Sequence, residues 1–256
     1  MSAQILAVAN QKGGVGKTTT TVNLAASLAS KGRRVLVVDL DPQGNATTGS
    51  GINKATIENG VYQVVLGETD IPNAVVRSKE GGYDVLGANR TLAGAEVELV
   101  QEIAREIRLK NALQIVANDY DYVLIDCPPS LTLLTLNGLV AANGVIVPML
   151  CEYYALEGIS DLVATVRKIR QAINPDLDVT GIVRTMYDSR SRLVVEVSEQ
   201  LKQHFSNLLF DTVIPRNIRL AEAPSHGLPA LAYDAHAKGT QAYLDLADEL
   251  IARLEK

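Results

Sequence analysis

Short apolar runs alternate along this chain with longer stretches of helical periodicity. The runs are QILAVAN at 4–10, RRVLVVDLD at 33–41, 83–88, DYVLIDCPPS at 121–130, 144–150, 178–186 and 208–214. Near-continuous apolar runs of this length predict strands covered on both faces. Between them, 18–31 places Val22, Leu24, Ala25, Leu28 and Ala29 on helical spacing before Gly32, and further helices are predicted over 96–118, 131–142, 156–173, 191–205 and 240–254. The alternation predicts an α/β fold, a mostly parallel twisted sheet with helices on both faces and right-handed crossovers. Ligands of such sheets lie beyond the carboxyl ends of the strands. Residues 45–82, rich in Gly, Asn and Thr at the start and weakly periodic afterwards, yield no assigned elements.

Composition narrows this picture. A chain of 256 residues, 47% hydrophobic, can bury a large core, and with no Trp and two Phe that core must be Ala, Val, Leu and Ile. No repeat or long Pro/Gly/Ser linker divides it, so one domain over 1–256 is expected. The first strand begins at residue 4, so no added amino-terminal DNA-reading domain is expected. No apolar stretch approaches the ~18 residues of a membrane span, and the amino terminus lacks a basic region before its apolar run. The expected location is cytoplasmic, with no membrane partner. A net charge of -5 excludes a globally basic nucleic-acid binder but leaves room for a local patch. Cys127 and Cys151 share no metal-binding spacing and read as buried thiols in a reducing compartment.

The first run leads into KGGVGKTT at 12–19, a strand, glycine loop and helix start that together form a phosphate site. Gly13, Gly14 and Gly16 let the backbone approach an anion, Lys17 should reach the β- and γ-phosphates, and the Thr18 hydroxyl should hold Mg²⁺. Val15 and Thr19 complete the loop expected to cradle ATP. These features predict a P-loop NTPase. The usual motif has glycine at position 11, where this chain has Gln11 followed by an extra cation, Lys12. A lysine beside several phosphate charges is not electrostatically idle, and a cation on a transferring phosphoryl can come from a partner subunit. A lysine finger across a dimer is therefore expected.

Two further runs deliver acids at their carboxyl ends. Asp126 suits the metal, directly or through water, while Asp39 and Asp41 compete to orient the attacking water. Asp39, inside the apolar run, also suits a structural role capping a neighbouring loop. Spacing alone leaves the two open.

The motifs KGGVGKTT, VLVVDLDPQGNAT at 35–47, LAGAEVEL at 92–99, YDYVLIDCPPSL at 120–131, CEYYALEG at 151–158 and IPRNIRLAEAPSHGLP at 214–229 resemble the ParA/MinD group of deviant Walker-A ATPases. Within that group they look most like the short ParA (Soj) chromosome-partitioning proteins, over nearly the whole chain. The resemblance implies an ATP-driven sandwich homodimer in which Lys12 contacts the partner's ATP. It selects Asp41 over Asp39 for the hydrolytic water and gives Asp126 the Walker B place. Pro215 and Asn217, with Met186 and the intervening Arg216, match segments bordering the adenine. It further implies nonspecific binding of double-stranded DNA on the nucleoid, and a ParB-like DNA-binding partner that stimulates hydrolysis and release.

Residues 184–219 carry six basic against four acidic side chains, a local surplus in an acidic protein. Arg190 and Arg219 match the DNA-facing arginines of the short ParA proteins, and Arg192 is an additional candidate as neighbour to Arg190. A MinD-type membrane ATPase should instead end in a basic amphipathic helix. The tail TQAYLDLADELIARLEK has Leu244, Ala247, Leu250, Ile251 and Leu254 on one side, but its acids outnumber Arg253 and Lys256, so it reads as a packed terminal helix. An iron–sulfur ATPase would need Cys127 and Cys151 to bridge subunits. A nucleotide-gated binder with negligible catalysis shares the loop and differs in turnover.

Overall fold

The computed structural model describes residues 3–255; Lys256 lies outside them. Eight strands form one sheet: β1 (Gln4–Val8), β2 (Val35–Asp39), β3 (Val75–Ser78), β4 (Tyr83–Leu86), β5 (Tyr122–Asp126), β6 (Gly144–Leu150), β7 (Asp178–Tyr187) and β8 (Leu209–Pro215). The helices are α1 (Lys17–Ser30), α2 (Asn45–Gly49), α3 (Val61–Leu66), α4 (Ile71–Ala74), α5 (Leu92–Glu98), α6 (Arg108–Ile115), α7 (Leu133–Ala141), α8 (Ala155–Ala172), α9 (Arg192–Phe205), α10 (Ile218–Glu222), α11 (Ala230–Tyr233) and α12 (Lys238–Leu254). The sheet order is β3-β4-β2-β5-β1-β6-β7-β8, and every neighbouring pair is parallel except β3 and β4.

Every residue of β2 and β5 is buried, because helices cover both faces. One face packs Leu6, Val8, Val35, Val37 and Leu124 with Leu24 and Leu28 of α1 and Tyr243, Leu246 and Leu250 of α12. The other packs Ala7, Leu36, Val38, Val123 and Ile125 with Leu109, Leu113, Leu134, Leu139, Ile159 and Leu162. The terminal helix is thus part of the core. Its buried stripe runs through Ala242, Tyr243, Leu246, Ala247 and Leu250, while Leu244, expected on that stripe, is only partly buried.

All seven predicted strands form. The unassigned region supplies α2, α3 and α4, too short for periodicity to register, and the antiparallel edge strand β3, whose two central residues are exposed and give no apolar run. The single helix predicted over 96–118 is corrected: α5 begins earlier, at Leu92, and ends at Glu98, Ala104 takes a left-handed φ of 56°, and α6 starts only at Arg108. The cause is tertiary. Buried Asn137 on α7 donates to the carbonyl of Arg105 (2.8 Å) and accepts from the Leu109 amide (3.2 Å), the two backbone groups that a continuous helix would have paired with each other.

The register decides where chemistry sits. Val8, Asp126 and Asp39 lie opposite one another at the carboxyl ends of β1, β5 and β2. The loop after β1 and the acids of two adjacent strands therefore share one edge, where the chain departs from β1 toward both halves of the sheet.

Candidate functional site

Residues 9–16 leave β1 as a loop that closes over the start of α1. Gly14 (φ 73°) and Gly16 (φ 87°) occupy the left-handed region, which a side chain would disfavour, and Gly16 ends the loop at the helix's first residue, Lys17. Thr20 donates its amide to the Gly16 carbonyl at 2.8 Å. The Lys17 ammonium, largely buried, rests on the loop's own Lys12 carbonyl at 3.0 Å. Burial pulls its pKa below the ordinary value while Asp126 opposes the shift. Loop curvature, helix dipole and an inward cation make an anion seat.

Thr185 was not read as a site residue. Its hydroxyl bonds the carbonyls of Val15 (2.8 Å) and Met149 (3.0 Å), strapping the loop to β6 and β7. No motif marks it; only its place beside Met186 hinted at it. Thr185→Val keeps the shape but leaves buried acceptors short of a donor, so we expect a loss of about 1–3 kcal/mol in urea unfolding, with weaker nucleotide binding by calorimetry.

The acids differ in environment. Asp126 is fully buried and accepts from the hydroxyls of Thr18 (2.7 Å) and Thr21 (3.2 Å). Burial, then the neighbouring Asp39, push its pKa up. A raised buried carboxylate already joined to a hydroxyl is a hard-oxygen set that a divalent cation would complete, so Thr18 and Asp126 fit Mg²⁺. Asp39, also fully buried, accepts from the amide (2.8 Å) and hydroxyl (2.7 Å) of Thr47 and from the Asp41 amide (3.2 Å). Its oxygens are committed to shaping the next loop. Asp41 is only half-buried and uses one oxygen to accept from the Gln43 amide at 2.9 Å.

Lys12 points away from its own loop. Its ammonium pairs with Glu152, in the segment after β6, and both side chains are about half exposed, 54% and 51%. A separate cavity of about 200 Å³ is bounded by Gly16, Thr19, Met186, Pro215, Arg216 and Asn217. The four residues expected beside a base, Met186 and Pro215 to Asn217, thus converge on one cavity that opens onto the phosphate loop.

A family model described as AAA domain matches residues 3–179. The sporulation initiation inhibitor protein Soj of Bacillus subtilis is 52% identical over 249 residues, covering 97% of this chain and 98% of Soj. The chromosome partitioning protein ParA of Caulobacter vibrioides is 49% identical over 252 residues, covering 98% and 94%. The chain belongs to the ParA/Soj family of ATPases. A solved Mycobacterium smegmatis structure, described as cobyrinic acid a,c-diamide synthase with bound ATP analog and magnesium, superposes with a TM-score of 0.87 at 40% identity over 99% of this chain and 96% of that one. As a ParA/Soj ATPase, the protein hydrolyses ATP.

The three arginines expected on the DNA-facing surface of this ParA/Soj ATPase follow strands whose ends meet, since Tyr187 of β7 stands opposite Pro215 of β8. Arg190 and Arg192, 88% and 94% exposed, pair with Asp188 (2.8 Å) and Glu196 (2.8 Å). Arg219 pairs with Glu222 (2.8 Å) and Asp234 (3.3 Å). The Arg190 bond holds the Asp188 carboxyl down at about 2. Arg184, counted in the basic surplus, is corrected: it is buried and donates to Ser198 and to the carbonyls of Phe210 and Asp211, leaving a smaller excess at the surface.

The cysteines do not suit a shared cluster. Cys127 and Cys151 are 1% and 4% exposed, and burial pushes both thiols up, Cys151 to about 11. Both are buried free thiols, the arrangement of small core residues. Among the described residues no helix is long and apolar enough to cross a membrane, and α12 spends its apolar face on the core.

Proposed function

We propose that this ParA/Soj ATPase is a dimeric switch for chromosome or plasmid segregation. Its ATP-bound homodimer holds double-stranded DNA nonspecifically on the nucleoid, and a ParB-like DNA-binding partner stimulates hydrolysis and release. The observation that carries this reading is the outward Lys12. Lys17 already supplies the inward cation of its own loop, while the second lysine is half-exposed and held only by a surface pair with Glu152, a weak partner that a phosphate on another molecule could replace. The higher identity to Soj and ParA than to the amide-forming synthase supports partition over amidation.

The residue roles follow. The amides of Gly13 to Thr19 and the Lys17 ammonium bind the phosphates. Thr18 and Asp126 would hold Mg²⁺, which would neutralise charge on the phosphate oxygens. Asp41 orients the attacking water, because Asp39 is occupied by Thr47. Lys12 from each subunit meets the ATP of the other. Met186 and Pro215 to Asn217 wall the base site.

Acid-paired arginines suit a lone subunit that binds DNA poorly, while two copies of the face multiply phosphate contacts. Exposed ion pairs are worth little, so phosphates can displace Asp188, Glu196 and Glu222 from them. Arg219→Glu is expected to abolish DNA binding at moderate salt with ATP binding intact. The corresponding phosphate-contact loss is about 2 in the log–log salt slope, one per subunit. Retained affinity would remove Arg219 from the interface. The deciding experiment for the switch is DNA binding at fixed salt with ATP, ADP or neither, with and without the ParB-like partner; binding that ignores nucleotide overturns it.

A further inference from the structure

The base cavity and the arginine surface share their walls. Met186 ends one wall, and Arg190 and Arg192 follow it within six residues; Asn217 ends the other, with Arg219 two residues on and Leu220 lining the cavity again. Met186 holds a left-handed φ of 49°, one of two non-glycine residues to do so among the described residues, and the β7–β8 register breaks between Arg184 and Tyr187. A strained turn at a cavity wall is a place where a ligand can alter backbone geometry.

The second wall is coupled more directly. The Asn217 side chain accepts from the Arg219 amide at 2.9 Å and so starts α10. That short helix is clamped from behind: a Cβ at Gly239 would lie 2.7 Å from the Leu220 side chain and 3.0 Å from the Asn217 Cβ. Arg219 thus stands between two residues, Asn217 and Leu220, that both face the cavity and have little room to yield toward α12. Its guanidinium is meanwhile held by Glu222 and Asp234.

We propose that a planar purine base filling this cavity sets Arg219 and the Arg190 loop from within a single subunit, with Asn217 as the positioning residue. The inference rests on the nucleotide- and DNA-binding reading above. It makes DNA binding depend on two inputs, since the triphosphate closes the dimer and the base aligns the arginines that each subunit brings. A nucleotide that supplied only the phosphates would close the dimer around poorly set arginines.

Amide hydrogen exchange of the wild-type protein separates the inputs. ADP should slow exchange over 186–192 and 217–222, whereas inorganic pyrophosphate, at concentrations that displace ADP from the loop, should not. Equal protection by both, or none by ADP, overturns the proposal. With saturating ATP and dimer fraction matched by light scattering, Asn217→Ala should weaken DNA binding about fivefold, the equilibrium equivalent of a lost helix cap, and Asn217→Ser should restore it. Unchanged affinity in Asn217→Ala removes that residue's positioning role. If base-dependent protection is seen while Arg219→Glu binds DNA normally, the DNA reading fails and the coupling stands.

Discussion

Asp41→Ala is expected to lower partner-stimulated ATP hydrolysis by about 10²–10⁴-fold, the range for loss of a positioned proton acceptor. ATP binding should persist, because Lys17, the loop amides and the Thr18–Asp126 pair are untouched. The variant should accumulate as an ATP-bound dimer on DNA. The geometry favours Asp41 over its neighbour two residues back. Both Asp39 oxygens accept from backbone or hydroxyl donors inside the fold, whereas Asp41 is half-buried at the mouth of the site and spends one oxygen on the Gln43 amide. Single-turnover hydrolysis with DNA and partner is the measurement, and normal turnover in Asp41→Ala would end the assignment.

Lys12→Ala should bind nucleotide but form no ATP-dependent dimer, and its stimulated hydrolysis should fall by about 10³–10⁵-fold, as when a cationic finger is removed from a phosphoryl-transfer site. Folding should be unaffected. The pair with Glu152 is exposed on both sides, and such pairs contribute about 0–1 kcal/mol. On the proposed reading, the same weakness would let Lys12 exchange Glu152 for a phosphate of a second subunit's nucleotide. The Lys12 carbonyl that receives Lys17 is backbone and survives the substitution. Light scattering with ATP, beside calorimetry for nucleotide binding, distinguishes the outcomes. Dimers that persist and hydrolyse would return Lys12 to an ordinary solvated lysine.

Much of the site was legible because its parts are sequence-local. Strand, glycine loop and helix start occupy one stretch, and the acid-ended runs announce where the other strands deliver their charges. Spacing left Asp39 and Asp41 open and only the resemblance chose Asp41; the contact that occupies Asp39, from Thr47 eight residues away on the next helix, could not be read from spacing. Lys12 was visible as an extra cation, but Glu152, 140 residues away, was not visible as its partner. The sequence showed a local basic surplus; the structure pairs Arg190, Arg192 and Arg219 with carboxylates and takes Arg184 into the interior.

What the sequence determined by itself was the layered α/β fold, seven of the eight strands, the phosphate loop and the burial of the terminal helix. Each follows from apolar periodicity or from a motif spanning a few residues. Tertiary structure alone decided the break between α5 and α6, where Asn137 replaces helical hydrogen bonds, the strap from Thr185 to a carbonyl 170 residues earlier, and the cavity shared by Met186 and Asn217. Periodicity specifies which face of an element is buried. The partner of a buried polar atom depends on what folding brings beside it, and local spacing carries no record of that.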